Sequence, residues 1–169
     1  MSLNDTETRL REALREFGPM LLRVAMSYEA DPALREDLLQ EITFSIWKAL
    51  PSFRGDASLK TFVARVAHNR AVDHVMQRQR ILDRYSEGGD PAGLARNPSR
   101  TGPEQHDLTV SIRNLPLAYR QCIELMLEGF THAEIAEALG LAENAVSQRL
   151  VRGRRQLKNL LSKEDSNER

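Results

Sequence analysis

The chain has 169 residues, 41% hydrophobic and 5% aromatic, with 24 basic and 24 acidic side chains and no formal net charge. That length suits one ordinary domain or two small ones, and scarce aromatics beside frequent Ala and Leu favour helices over a β-sandwich. No run of about eighteen apolar residues exists, which excludes a membrane span and predicts no membrane insertion.

The N-terminal stretch MSLNDTETRLREALREF has no apolar signal core, so export is not expected. The single cysteine, Cys122, sits in the apolar run QCIELML and cannot build a disulfide framework or a cysteine zinc site. A reducing, cytoplasmic setting follows as the expectation. The zero net charge hides a pattern. Lys and Arg outnumber acids across residues 51–85 and again across 146–163, whereas acids dominate 1–50 and 116–145. A uniformly basic protein would bind any polyanion. The alternation predicts two nucleic-acid contacts and a basic protein partner.

Residues 1–86 read as a helical first domain. Leu10, Leu14, Phe17, Leu21, Val24 and Tyr28 recur at spacings of three and four, one face of a helix. Gly18-Pro19 interrupts that face and predicts a kink or a split. Asp31-Pro32 reads as an N-cap followed by proline at the first helical position. Leu34, Leu38, Ile42, Ile46 and Ala49 then form the buried stripe of a second helix, which Pro51 helps to end. Its other face carries Asp37, Glu41, Lys48 and Phe44. Exposed acids are usually a solvated face, but an outward Phe among them suggests docking.

A third helix is expected from near Ser58 to about Tyr85, burying Leu59, Phe62, Val63, Val66 and Val75. It bears Lys60, Arg65, Arg70, Arg78 and Arg80, with His68, Asn69 and His74 among them, and follows a loop holding Phe53 and Arg54. The histidines lack metal-ligand spacing, so no metal site is expected. A basic helix beside such a loop can hold single-stranded bases through stacking and amide hydrogen bonds. Phe53 and Phe62, though, are of a kind more often found in the core than as stacking platforms.

Residues 87–106, rich in Gly and Pro, read as a flexible linker. Stretched, it spans roughly 65–70 Å; as a coil its reach is nearer about 25 Å. Residues 107–169 read as a four-helix second domain. HDLTVSIRNL and LAYRQCIELMLEG give two helices, and Thr131 with Glu134 forms a capping box that opens a third. Gly140 falls where a helix–turn–helix needs its bend. The last helix is expected over about Glu143 to Leu161, with Val146, Leu150, Gly153 and Leu157 as its seam against the preceding helix. Its opposite side carries Asn144, Ser147, Gln148, Val151 and Arg155, with Arg149 and Arg152 beside them. Polar and Arg side chains there can reach base edges and phosphates. Val151 is either a thymine-methyl contact or tolerated exposure. No nucleophile motif, metal set or Gly-rich phosphate loop appears, so neither enzymatic activity nor a cofactor is expected.

The stretches EDLLQEITFSIWKALPSFRGDASLKTFVARVAHNRAVDH and LPLAYRQCIELMLEGFTHAEIAEALGLAENAVSQRLVRGRRQL together resemble regions two and four of the bacterial extracytoplasmic-function (ECF) sigma factors. The resemblance implies an all-α fold of two helical domains and a role in promoter-specific initiation with core RNA polymerase. It implies that Asp37, Gln40, Glu41 and Phe44 face the β′ coiled coil, and that the β flap is a further contact on the polymerase. It implies that Phe53, Arg54, Lys60, Arg65, Asn69, Arg70, Arg78 and Arg80 handle the minus-ten strand. Asn144, Ser147, Gln148, Arg149, Val151, Arg152 and Arg155 would read the minus-thirty-five duplex. Promoter DNA and an anti-sigma factor are the further partners implied. Phe62 stands where the family commonly has Trp, Asn144-Ala145 where Gly-Thr is frequent, and Ser147 where Lys is frequent. The alternative is a stand-alone helix–turn–helix regulator.

Overall fold

The computed structural model describes the backbone of residues 3–88 and 103–167 and the side chains of residues 5–84 and 108–162. Among them lie seven α-helices, a single 3-10 turn and no strand. They are α1 (Leu3–Tyr28), α2 (Pro32–Ala49), α3 (Leu59–Gly88), α4 (Pro103–Arg113), α5 (Leu117–Leu127), α6 (His132–Leu139) and α7 (Glu143–Asn167), with the 3-10 turn at Leu50–Ser52. Most of the expected linker, 89–102, lies outside the described residues; its flanks at Gly88 and Pro103 are helical.

The first lobe packs α1, α2 and α3 against one another. Leu21, Val24, Leu38, Ile42, Ile46, Leu50 and Val63 are all buried. Each such aliphatic side chain contributes roughly 1.5–3 kcal/mol by leaving water. Helix α1 runs unbroken through Gly18-Pro19, against the expected kink or split. Pro19 removes the N–H that would bond the carbonyl of Arg15. Both residues lie on the exposed side, where water can serve that carbonyl, while Phe17, Met20 and Leu21 hold the inner side in the core.

Helix α2 starts as its sequence dictates. The Asp31 carboxylate accepts from the backbone N–H groups of Ala33 (2.9 Å) and Leu34 (3.1 Å), and Pro32 takes the first position, where no N–H is needed. Helix α3 begins after Ser58, whose hydroxyl accepts from the Thr61 N–H at 3.0 Å. Both histidines of α3 point inward. His68 meets the Tyr28 hydroxyl at 3.1 Å, and His74 meets the Glu29 carboxylate at 2.9 Å. They are core polar groups, not members of an exposed basic face.

In the second lobe, Thr131 and Glu134 form the expected capping box and open α6. Gly140 ends it at φ 65°, a left-handed geometry that favours glycine, and the Leu141 N–H returns to the Ala136 carbonyl at 2.9 Å. Helix α7 packs on both α6 and α5, and the seam expected against the preceding helix meets α5 at Gly153. Val146, Leu150 and Gly153 are buried and Leu157 is half-buried. Gly153 is there for space. A Cβ at this position would lie 3.1 Å from Ile123 Cγ1 and 3.2 Å from Tyr119 Cβ. Alanine would regain about 1 kcal/mol of helix propensity against this crowding. Valine has no such margin. Gly153→Val is expected to lower stability by about 1–3 kcal/mol, the usual range for overpacking, read as a fall in the urea midpoint followed by circular dichroism.

Candidate nucleic-acid interface

The outward side of α7 presents Asn144, Gln148, Val151, Arg152 and Arg155 exposed and Ser147 half-buried. Val151 is 58% exposed in the middle of this face. Arg149 turns away from it. Its guanidinium lies against buried Cys122, where it partly offsets the rise that burial imposes on the thiol. Arg154 contacts Met126 Sδ at 2.8 Å and braces α7 on α5. His132, the first residue of α6, was not among the sequence candidates. Its Nδ1 lies 3.1 Å from Ser147 Oγ. No local pattern links positions fifteen residues apart across a turn; only the fold brings them together.

The loop before α3 and the outer side of α3 form a second basic surface. Arg54, Asn69 and Arg80 are exposed. Phe53 is half-buried and its ring packs on Phe62 with centroids 5.0 Å apart. Arg78 is ion-paired to Glu29 and half-buried. Arg70 is ion-paired to Glu41, so the basic side of α3 touches the acidic side of α2.

On α2, Asp37, Gln40, Glu41 and Phe44 are all exposed and lie on one side. Phe44 is 57% exposed, stacks on Trp47 at 5.7 Å between centroids, and has Lys48 Nζ 5.5 Å from its ring. Leu10, Glu36, Leu39, Gln40, Thr43, Phe44 and Trp47 line a shallow, mostly apolar groove beside these acids. The surface thus combines apolar rings with a carboxylate rim, suited to a basic protein partner.

The family description of Sigma-70 region 2 matches residues 13–81, and that of Sigma-70 region 4 matches residues 105–157. Each range falls within one of the two lobes. The chain belongs to the ECF sigma factors. It is 27% identical over 165 residues to the ECF RNA polymerase sigma factor SigE of Mycolicibacterium smegmatis, covering 92% of this chain but only 62% of that protein. It is 27% identical over 134 residues to the RNA polymerase sigma factor SigZ of Bacillus subtilis, with 78% and 74% covered. Among solved structures, it resembles the sigma factor RpoE of Bartonella quintana, crystallised with the anti-sigma factor NepR. The TM-score is 0.72 at 25% identity, over 90% of this chain and 96% of that one.

In this sigma factor the two lobes are packed together, α1 on α4 and α3 on α5 and α6. Lys60 Nζ donates to the Glu128 carbonyl at 2.8 Å and lies 4.3 Å from the centre of the Phe130 ring. Arg65 Nη2 donates to the Glu137 carbonyl at 2.9 Å. Arg113 Nη2 reaches back to the Met26 carbonyl at 2.6 Å. All three cations sit at carboxyl ends of helices in the opposite lobe, where free carbonyls and the helix dipole favour positive charge. Helix α1 has no basic residue in its own last turn, and the second lobe supplies one. Arg23 adds a two-pronged pair with the Glu128 carboxylate. Two residues expected at the minus-ten strand, Lys60 and Arg65, are therefore engaged by the second lobe.

A cleft opens between the lobes, lined by Val24, Met26, Ser27, Leu108, Ile112, Leu127 and Glu124 among others. Burial pushes the Glu124 carboxyl up to about 8, the coulombic pull of Arg120 only partly opposing it. A carboxyl raised in this way costs stability as pH climbs from about 4.5 through 8, because the unfolded chain ionises first.

Proposed function

We propose that the chain binds core RNA polymerase and directs promoter-specific initiation, contributing no catalytic group. The observation that carries this reading is the pairing of two unlike surfaces. One is the outward face of α7, with Asn144, Gln148, Val151, Arg152 and Arg155 exposed. The other is the side of α2 that carries Asp37, Gln40, Glu41 and Phe44. A stand-alone regulator has use for the first but not for the second.

The first half of α7 enters the major groove of the minus-thirty-five element, as second helices of helix–turn–helix modules do. Gln148 and Asn144 address base edges, and Arg152 and Arg155 address phosphates. Arg54, Asn69 and Arg80 meet the opened minus-ten strand first, because they are exposed as the chain stands. Lys60 and Arg65 join them once the lobes part. Flipping a base costs a few kcal/mol, which so small a contact set offsets only while polymerase holds the duplex. The carboxylate-rimmed rings of α2 take the basic coiled coil of β′, and the β flap is a further contact on the polymerase. An anti-sigma factor is the matching inhibitor, as RpoE of Bartonella quintana has in NepR.

Run-off transcription with purified core polymerase tests the whole reading. Addition of the chain is expected to yield starts at defined promoters. Gln148→Ala should then shift the upstream-element preference, and Arg155→Ala should weaken all sequences evenly. Absence of any promoter-specific start would sink the proposal.

A further inference from the structure

The hydrogen bond between His132 and Ser147 lies beside the face that reads DNA, and the reading above leaves it unused. We infer that His132 is a positioning residue for specificity: it fixes which hydrogen-bonding role Ser147 offers to a base edge. The inference rests on α7 reading the upstream duplex.

A serine hydroxyl has one proton, two lone pairs and a free rotor, so by itself it pairs with donor and acceptor edges alike. Ser147 does not keep that freedom, because its Oγ stands 3.1 Å from His132 Nδ1. In the neutral imidazole with its proton on Nε2, Nδ1 is an acceptor and takes the Ser147 proton. Ser147 then turns only lone pairs toward the groove. Those pair with the amino groups of cytosine N4 or adenine N6 and reject guanine O6 and N7 and thymine O4. The same tautomer leaves an N–H on Nε2. His132 is exposed at the start of α6, the helix that crosses the phosphate backbone in this class of module. A phosphate contact by Nε2–H would hold that tautomer in place. The base choice made by Ser147 is thereby coupled to a residue that never touches the base.

The test uses holoenzyme assembled from the full chain and core polymerase, with a promoter library randomised across the upstream element. The wild-type protein is expected to prefer adenine or cytosine at the base opposite Ser147. Ser147→Ala and His132→Ala should each flatten that preference by about three- to tenfold, the range of one net hydrogen bond. The double variant should lose no more than either single one. His132→Asn, whose amide oxygen can accept where Nδ1 does, should retain the preference. Three results would overturn the inference: an even loss across all sequences in His132→Ala, an unchanged profile in that variant, or a wild-type preference for guanine or thymine at that position. Gln148→Ala acts as an internal standard. A shifted profile for it with none for His132→Ala rejects this inference alone, whereas no shift in either rejects the duplex reading on which it rests.

Discussion

Asp37→Arg is expected to weaken binding to core RNA polymerase by about tenfold to a hundredfold, roughly 1.4–2.7 kcal/mol, while thermal unfolding stays unchanged. Asp37 is exposed on the outer side of α2, away from the fully buried Leu38, Ile42 and Ile46, so the side chain can change without touching the core. The helix itself gains slightly. Arginine has a better helix propensity than aspartate, and its charge relieves the like pair that Asp37 makes with Glu41 one turn on. At a partner rich in Lys and Arg the same change replaces attraction with repulsion, which slows encounter and disfavours the docked state. Glu41→Arg is a less clean probe, because Glu41 is paired with Arg70 and its reversal also disturbs α3. Fluorescence anisotropy of labelled protein titrated with core polymerase, at two salt concentrations, gives the measurement. Equal affinity for the wild-type protein and Asp37→Arg would remove α2 from the interface.

The periodicity of the apolar residues was enough to place α1, α2, α3 and α7, because each one buries a stripe that its own sequence spells out. Leu38, Ile42 and Ile46, or Val146 and Leu150, are the plainest cases. Caps were legible for the same reason, being local: Asp31-Pro32 and the Thr131–Glu134 box act within one turn. The continuity of α1 was not legible, since whether Pro19 breaks a helix depends on which side faces water. Partners that lie far apart in sequence were hidden as well. Nothing in the neighbourhood of Lys60 or Arg65 announces that their charges rest on carbonyls of α5 and α6, nor that His132 meets Ser147. A basic run on a helix advertises charge, not the address of its counterpart. Arg78 and Arg149 show this best, each a member of a basic cluster and each turned to a protein partner.

The packing between lobes also bears on how the proposed function is controlled. The Arg23 side chain is more than half exposed, which limits what its pair with Glu128 adds to holding the lobes. The bonds from Lys60, Arg65 and Arg113 to helix-end carbonyls satisfy backbone groups that would otherwise need water. They are exchangeable contacts. A phosphate backbone is a stronger acceptor than a neutral carbonyl, so on the proposed reading single-stranded DNA would compete with the second lobe for Lys60 and Arg65.

Glu29→Gln is expected to cost about 2–3 kcal/mol of stability near pH 7, below the roughly 3–5 kcal/mol typical of breaking a buried ion pair. The discount has a reason: Arg78 keeps a quarter of its side chain exposed and can turn to water. Glu29 joins three elements at once. It lies at the end of α1, its Oε1 accepts the N–H of Asp31, the cap of α2, at 2.8 Å, and its Oε2 meets His74 and Arg78 of α3. Burial alone would raise its carboxyl, but the bonds from His74, from the Asp31 N–H and from Arg78 overcome that and hold it down at about 2. The sign follows. With a folded value near 2 and an ordinary value of 4.5, the stabilisation is complete above about pH 4.5 and drains away as pH falls toward 2. His68 adds a separate acid sensitivity. Burial lowers it from 6.5 to about 4, so the unfolded chain takes up a proton first and the His68 contribution declines below about pH 6.5, opposed by the gain from Glu124 as pH falls from about 8 to 4.5. Urea midpoints of both proteins between pH 7 and pH 3 check this. The gap between wild-type and Glu29→Gln should hold constant down to about pH 4.5 and then narrow, while the opposed contributions of His68 and Glu124 between pH 6.5 and 4.5 are common to both. A gap that stayed constant to pH 3 would mean that Glu29 gains nothing from its charge and acts only as a hydrogen-bond acceptor at the junction of α1 and α2.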